Sequence, residues 1–154
     1  MKTCCIIAEH SRAWQQFENS YEGDIFTDKL EGLLYEIAEK HQVTTFVTSI
    51  SLGIEILAAE LVKKLQQNNN SIRLECAIPY ENQAEFWTET ERIRYFAVAT
   101  TSNRAFFFTQ RYYPGCVEAC YKEMIEKADV VVITEGMAKK FADVMPEGKV
   151  YINI

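Results

Sequence analysis

A chain of 154 residues has the length of one ordinary domain, and with 48% apolar residues it can bury a substantial core. Sixteen basic against twenty-two acidic residues leave a net charge of −6, which argues against a non-specific nucleic-acid binder. No apolar run reaches the length of a membrane span and no signal peptide precedes the first apolar run, so the chain is expected to be cytoplasmic.

The first apolar run, Cys4–Ala8, reads as a buried strand. Glu9 to Gly23 is the least regular stretch, and its Trp14 and Phe17 are expected to pack over the strand ends. Leu30, Leu33, Leu34, Ile37, Ala38 and His41 then fall at offsets 0, 3, 4, 7, 8 and 11, one stripe of an amphipathic helix. His41 closes that stripe, where a helix C-terminus favours a protonated ring, a structural role. A second strand, Thr45–Thr48, meets the turn Ser49-Ile50-Ser51. The helix beginning near Ser51 repeats the offsets with Ile54, Leu57, Ala58, Leu61, Val62 and Leu65, and Leu57, Leu61 and Leu65 are expected to face the sheet. After the polar loop Asn68–Ser71 come a third strand, Arg73–Ile78, a turn at Pro79, and a fourth strand, Ala105–Phe108. Pro114 marks a turn before a third striped helix carrying Val117, Cys120, Tyr121, Met124, Ile125 and Ala128. Asp129–Ile133 and Val150–Ile154 are the last strands, separated by the turn at Pro146-Glu147-Gly148.

Strands that are apolar almost throughout, alternating with amphipathic helices, predict an α/β fold: a doubly wound, mainly parallel sheet with helices on both faces. Cys4–Ala8 and Thr45–Thr48 are expected among its inner strands, and residues 1–154 form one domain.

Five cysteines in a chain without an export signal predict free thiols, with Cys4, Cys5 and Cys76 buried. Cys116 and Cys120 are four apart on a helix, as two metal-binding thiolates would be. Cys120 nevertheless falls on the apolar stripe, which favours a small core residue, and no metal is assigned.

Ligands of open α/β sheets bind beyond the carboxyl ends of the strands, at the switch in strand order. The residues there are Glu9, His10, Ser11 and Arg12; Ser49, Ser51, Gly53 and Glu55; Pro79, Tyr80 and Glu81; Thr109, Gln110 and Arg111; and Thr134, Glu135 and Gly136. Strand, small polar turn and helix aim free N–H groups and a positive helix end at an anion. His10 has the side chain for proton transfer near neutral pH, or it is a solvated loop residue. Glu55 in a first helical turn is stabilised there with or without a ligand. Arg12 and Arg111 can clamp a phosphate, although a surface arginine is the commoner outcome.

The run Ser49-Ile50-Ser51-Leu52-Gly53-Ile54-Glu55-Ile56-Leu57-Ala58-Ala59-Glu60 resembles the glycine-turn segment of the SLOG superfamily. Pro79-Tyr80-Glu81-Asn82-Gln83-Ala84-Glu85-Phe86-Trp87 resembles the proline-to-tryptophan signature of its YpsA-like branch, and the similarity extends from about Thr3 to Ile154. The resemblance implies a Rossmann-like fold that binds a nucleotide or nucleotide-derived ligand through Ser49, Ser51, Gly53 and Glu55, with His10 and Arg12 opposite. Relatives include cytokinin-activating phosphoribohydrolases and the DNA-processing protein DprA. Several positions depart from the pattern. Ile50 and Ser51 replace paired glycines, Glu9 enters the opening turn, and the late Gly-Gly-Thr turn is reduced to Glu135-Gly136-Met137.

The leading expectation is a domain that binds or senses a nucleotide-like molecule, with no cofactor assigned. An N-glycosidic hydrolase would draw its catalytic groups from Glu55, Glu9, His10 and Tyr80. A single-strand nucleic-acid binder would use Arg92, Arg94, Arg104 and Arg111 with Tyr95, Phe96, Phe106, Tyr112 and Tyr113, against the overall charge. If binding is lost, the domain is a protein-interaction scaffold; a homo-oligomer is open in every case.

Overall fold

The structure, a computed structural model, describes residues 2–154, so Met1 lies outside the described residues. Six strands form one sheet: β1 (Lys2–Ile7), β2 (Val43–Thr48), β3 (Arg73–Tyr80), β4 (Arg104–Thr109), β5 (Val130–Ile133) and β6 (Val150–Asn153). All neighbours pair in parallel, in the order β4-β3-β2-β1-β5-β6. The helices are α1 (Trp14–Glu18), α2 (Tyr21–Lys40), α3 (Ile54–Gln66), α4 (Glu89–Thr101), α5 (Cys116–Lys127) and α6 (Glu135–Lys140), followed by a 3₁₀ turn at Ala142–Val144.

The chain steps outward from β1 to β4, and α5 then returns it to the other side of β1. Right-handed crossovers place helices on opposite faces when the direction of travel reverses. Accordingly Leu34, Ile37, Leu61 and Val98 join Cys4, Ile6, Val130 and Val132 in one core, while Tyr121, Ile125 and Met137 join Cys5, Ile7, Val131 and Ile133 in the other. Alternate residues of one strand thus serve opposite cores, which is why β1 from Cys4 onward and all of β5 are apolar. The switch in strand order falls between β1 and β5, and β1 and β2 are inner neighbours as expected.

Some boundaries differ from the expectation for local reasons. Ala8 leaves β1 because its N–H turns to the Glu55 carboxylate. Pro79 lies inside β3, not in a turn. Its missing N–H is harmless because β2 ends at Thr48, opposite Cys76, and the contacts to β4 step from Ile78 to Tyr80. The helix after β2 begins at Ile54, three residues beyond Ser51, with Gly53 as its N-cap. In α3 the unexposed positions are Glu55, Ile56, Ala58, Ala59 and Val62, while Leu57 and Leu61 are buried slightly less deeply and Leu65 only in part. Helices α1 and α6 are short. Trp14 and Phe17 of α1 stack with Phe26 of α2, covering that helix. α4 carries no apolar stripe of the kind seen on the other long helices, because it buries only Tyr95 and Val98 among its thirteen residues. His41 is the C-cap of α2, donating its N–H to the Ile37 carbonyl.

Candidate functional site

The turn after β2 closes on itself. Ile50 adopts φ +50°, a left-handed conformation that a β-branched residue rarely takes, at the position where the resemblance places a glycine. Side chains of the turn hold it: Ile50 N donates to Thr48 Oγ1 (3.1 Å) and Ser51 N to Ser49 Oγ (3.3 Å).

Beneath the turn sits Glu55, wholly buried. Its Oε1 accepts from Ser49 N (2.8 Å) and Thr48 Oγ1 (3.2 Å), and its Oε2 from Tyr121 OH (2.7 Å), Ala8 N (3.3 Å) and Ser51 Oγ (3.4 Å). Ser49 Oγ lies 3.2 Å from Tyr121 OH, and Gln83 Nε2 donates to the Ser49 carbonyl at 3.0 Å. Burial pushes the Glu55 carboxyl above the ordinary carboxylate range, and the bonds from Tyr121, Ser49 and Ala8 pull it back down. Burial and the Glu55 charge raise the Tyr121 phenol. This network ties β1, β2, α3, α5 and the segment after β3 together, and a fully satisfied buried network fixes one arrangement of its members.

Gly53 is held at φ +113° and ψ −135°, and a Cβ there would meet Glu9 O at 3.4 Å and Ser11 N and O at 3.6 Å. Ser11 N donates to Leu52 O at 2.8 Å, so the turns after β1 and β2 touch. Outside that contact Ser11, Arg12, Trp14, Leu52, Gly53 and Glu91 line a small cleft at the amino end of α3, with Arg94 at its wall. Arg12 Nη2 donates to the Phe86 carbonyl at 3.0 Å and lies 3.7 Å from Glu91. Arg94 is committed to Glu60 and Glu18 at 2.6–3.1 Å, so it serves as a clamp joining α4, α3 and α1. The buried Trp14 Nε1 has no hydrogen-bond partner.

Phe86 joins this cleft to a second one. Tyr80, Asn82, Gln83, Phe86, Gln110, Arg111 and Tyr112 surround it at the carboxyl ends of β3 and β4. Tyr80 and Tyr112 meet edge to face at 5.1 Å, and Phe86 is 85% exposed. The His10 ring lies 5.8 Å from that of Trp87, and partial burial and the Arg12 charge lower its pKa.

The Glu9 carboxylate lies at the switch point. It accepts from Thr134 Oγ1, and a Cβ on Gly136 would come within 2.6 Å of Glu9 Oε2. The carboxylate is thus packed on the turn after β5.

The expected site residues therefore fall into four places. Ser49, Ser51 and Glu55 belong to the buried network; Gly53 and Arg12 line the α3 cleft, with His10 beside it; Tyr80 belongs to the aromatic cleft; Glu9 belongs to the β5 turn. Sequence reasoning did not assign Tyr121 or Thr48 to the site, and it named Thr134, Phe86 and Trp87 without their partners. Tyr121 was visible as the one hydroxyl on an apolar stripe, and buried tyrosine hydroxyls take partners. Cys116 and Cys120 are both buried, the latter donating weakly to Ala77 O at 3.6 Å, and no metal-binding group occurs among the described residues. Among them, too, no helix is long and apolar enough to cross a membrane.

Comparison with known proteins gives this arrangement its relatives. A UPF0398 protein of Halalkalibacterium halodurans is 30% identical over 93 residues, covering 59% of this chain and 49% of the relative. One from Lactobacillus acidophilus is 28% identical over 113 residues (62% and 60%), and one from Listeria welshimeri 30% over 104 (63% and 57%). The chain thus spans about half to three-fifths of the length of these relatives. The YpsA profile, described as the YspA SLOG family, matches residues 18–140, which contain the Glu55 turn, Gln83, Phe86 and Tyr121. That match takes in most of the chain, which belongs to the YpsA-like SLOG family.

Proposed function

We propose that this domain binds a nucleotide-like ligand along the carboxyl edge of the sheet, acting as a sensor in the cytoplasm. The observation that carries the reading is the junction at Phe86: its carbonyl holds Arg12 of the α3 cleft, and its ring lines the aromatic cleft. An anionic group would sit between Arg12 and the amino end of α3, where a cation and the helix dipole favour negative charge. A planar base would sit among Tyr80, Tyr112 and Phe86, with the amides of Asn82 and Gln110 at its edge. Glu55 would act beneath the site by fixing the turn, since both its oxygens are filled. Five free, buried cysteines suit a reducing compartment.

The test is a thermal-shift screen with nucleoside mono- and diphosphates, ADP-ribose and dinucleotides. A compound that binds only the native state adds about 2.7 kcal/mol of stability at one hundred times its Kd and so raises the melting temperature. A second reading, a protein-interaction scaffold, draws on Glu9, whose carboxylate already occupies the β5 turn at the switch point. No shift with any compound at millimolar concentration would favour it.

A further inference from the structure

Strand β4 ends the sheet with an unusual edge. It reads Arg-Ala-Phe-Phe-Phe-Thr over Arg104–Thr109, with no lysine, proline, glycine or bulge to discourage pairing. Its outer row of N–H and C=O groups has no neighbouring strand. Phe106 and Phe108 face the α5 side, so Phe107 faces the α4 side, where it is 47% exposed. On the same face of the sheet α4 exposes Phe96 (55%). Phe96 stands two residues, or about 200°, from Arg94, which reaches toward α3 through Glu60. Phe96 is therefore turned away from α3, toward the β4 edge.

We propose that a second copy of this chain covers this edge, the two β4 strands pairing antiparallel about a two-fold axis through Phe107. That register is self-complementary. Phe107 meets its symmetry mate on the α4 face, Phe106 meets Phe108 on the α5 face, and Ala105 meets Thr109. Charge fits as well. Arg104 falls opposite the neutral Gln110, and its guanidinium is already engaged, 3.8 Å from Glu75 and 4.3 Å above the Phe106 ring. The exposed parts of Phe96 and Phe107 supply roughly 200 Å² of apolar surface per copy, from side chains of about 150–250 Å² each. The strand backbone and the open flanks of Phe106 and Phe108 extend this toward the ~800 Å² per partner of a standard interface. Antiparallel pairing puts the two carboxyl edges at opposite ends of the joint, with Gln110 lying both in the register and on the rim of the aromatic cleft.

Sedimentation or light scattering of the full chain tests the proposal. The expected result is a species of twice 17.8 kDa that dissociates on dilution. Phe107→Lys and Phe96→Glu should each give a monomer with unchanged far-UV circular dichroism, and Phe86→Ala, at an exposed aromatic elsewhere, should remain dimeric. Should Phe107→Lys fail to fold, Phe96→Glu on the helix surface decides alone. A parent that is monomeric at about 100 µM, or a dimer that survives whichever of the two variants fold, overturns the proposal.

Discussion

Ile50 concentrates the tension between sequence and turn. Its backbone takes the left-handed conformation at φ +50°, while its side chain is wholly buried in the core with Ile56 and Leu52. A left-handed L-residue costs about 1–2 kcal/mol, and deleting a buried isoleucine side chain costs about 2–5 kcal/mol. Packing wins on these magnitudes. Ile50→Gly should relieve the strain yet destabilise the protein by roughly 1–3 kcal/mol in urea or guanidinium denaturation. A stabilised variant would show that the side chain is not anchored as described. Glu55 has its own signature. Because its carboxyl is held above its unfolded value by burial, the unfolded chain gives up that proton first as pH rises. The group's contribution is therefore most favourable in acid, falls from about pH 4.5 up to the raised native value, and is level above it. In a comparison with Glu55→Gln from pH 4 to 8, the stability of the parent relative to the variant should fall with rising pH and then flatten. A difference that grows with pH would contradict the assignment.

At the scale of elements, the strands were legible because parallel strands covered on both faces are apolar in both alternations, as in Cys4–Ile7 and Val130–Ile133. The long helices were legible from their stripes. α4 was not, since Ile93 and Phe96 make its outer face as apolar as its inner one, although its capping box, Thr88 with Glu91, stood in the sequence. The stripe on α3 was legible and its orientation less so. Leu57 and Leu61 are buried, and the small Ala58 and Ala59 are the more deeply enclosed. Leu61→Ala should still cost about 2–5 kcal/mol by chemical denaturation. An effect below about 1 kcal/mol would mean that this side of α3 can close over the loss. At φ +113° any side chain strains the backbone, so Gly53→Val perturbs the fold together with the cleft.

Across the whole molecule, the candidate site was legible as a place and not as a set of partners. Residues following strands could be named from the doubly wound pattern alone. Their sorting into a buried network, two clefts and a carboxylate on the β5 turn depends on contacts between residues far apart, such as Tyr121 with Glu55 and Arg12 with Phe86. No local pattern carries these. The cysteines were legible because free thiols pack as small apolar groups. Burial moves Cys76 up to about 11 and Cys120 up to about 12, far from reactive thiolates at neutral pH. All five should resist a thiol reagent at pH 8 in the native protein and react promptly once it is denatured. Fast native labelling of several would contradict the core assignment.

The central claim is that one ligand spans the α3 cleft and the aromatic cleft across Phe86. Titration calorimetry with the best compound of the thermal-shift screen tests it most directly, applied to the parent, Arg12→Ala and Tyr112→Ala. Both side chains are exposed, so both variants should keep their fold. Each should bind roughly ten- to a hundred-fold more weakly, the loss of a charged hydrogen bond in one and of an aromatic contact in the other. Equal affinity in all three proteins would place the ligand elsewhere and contradict the account.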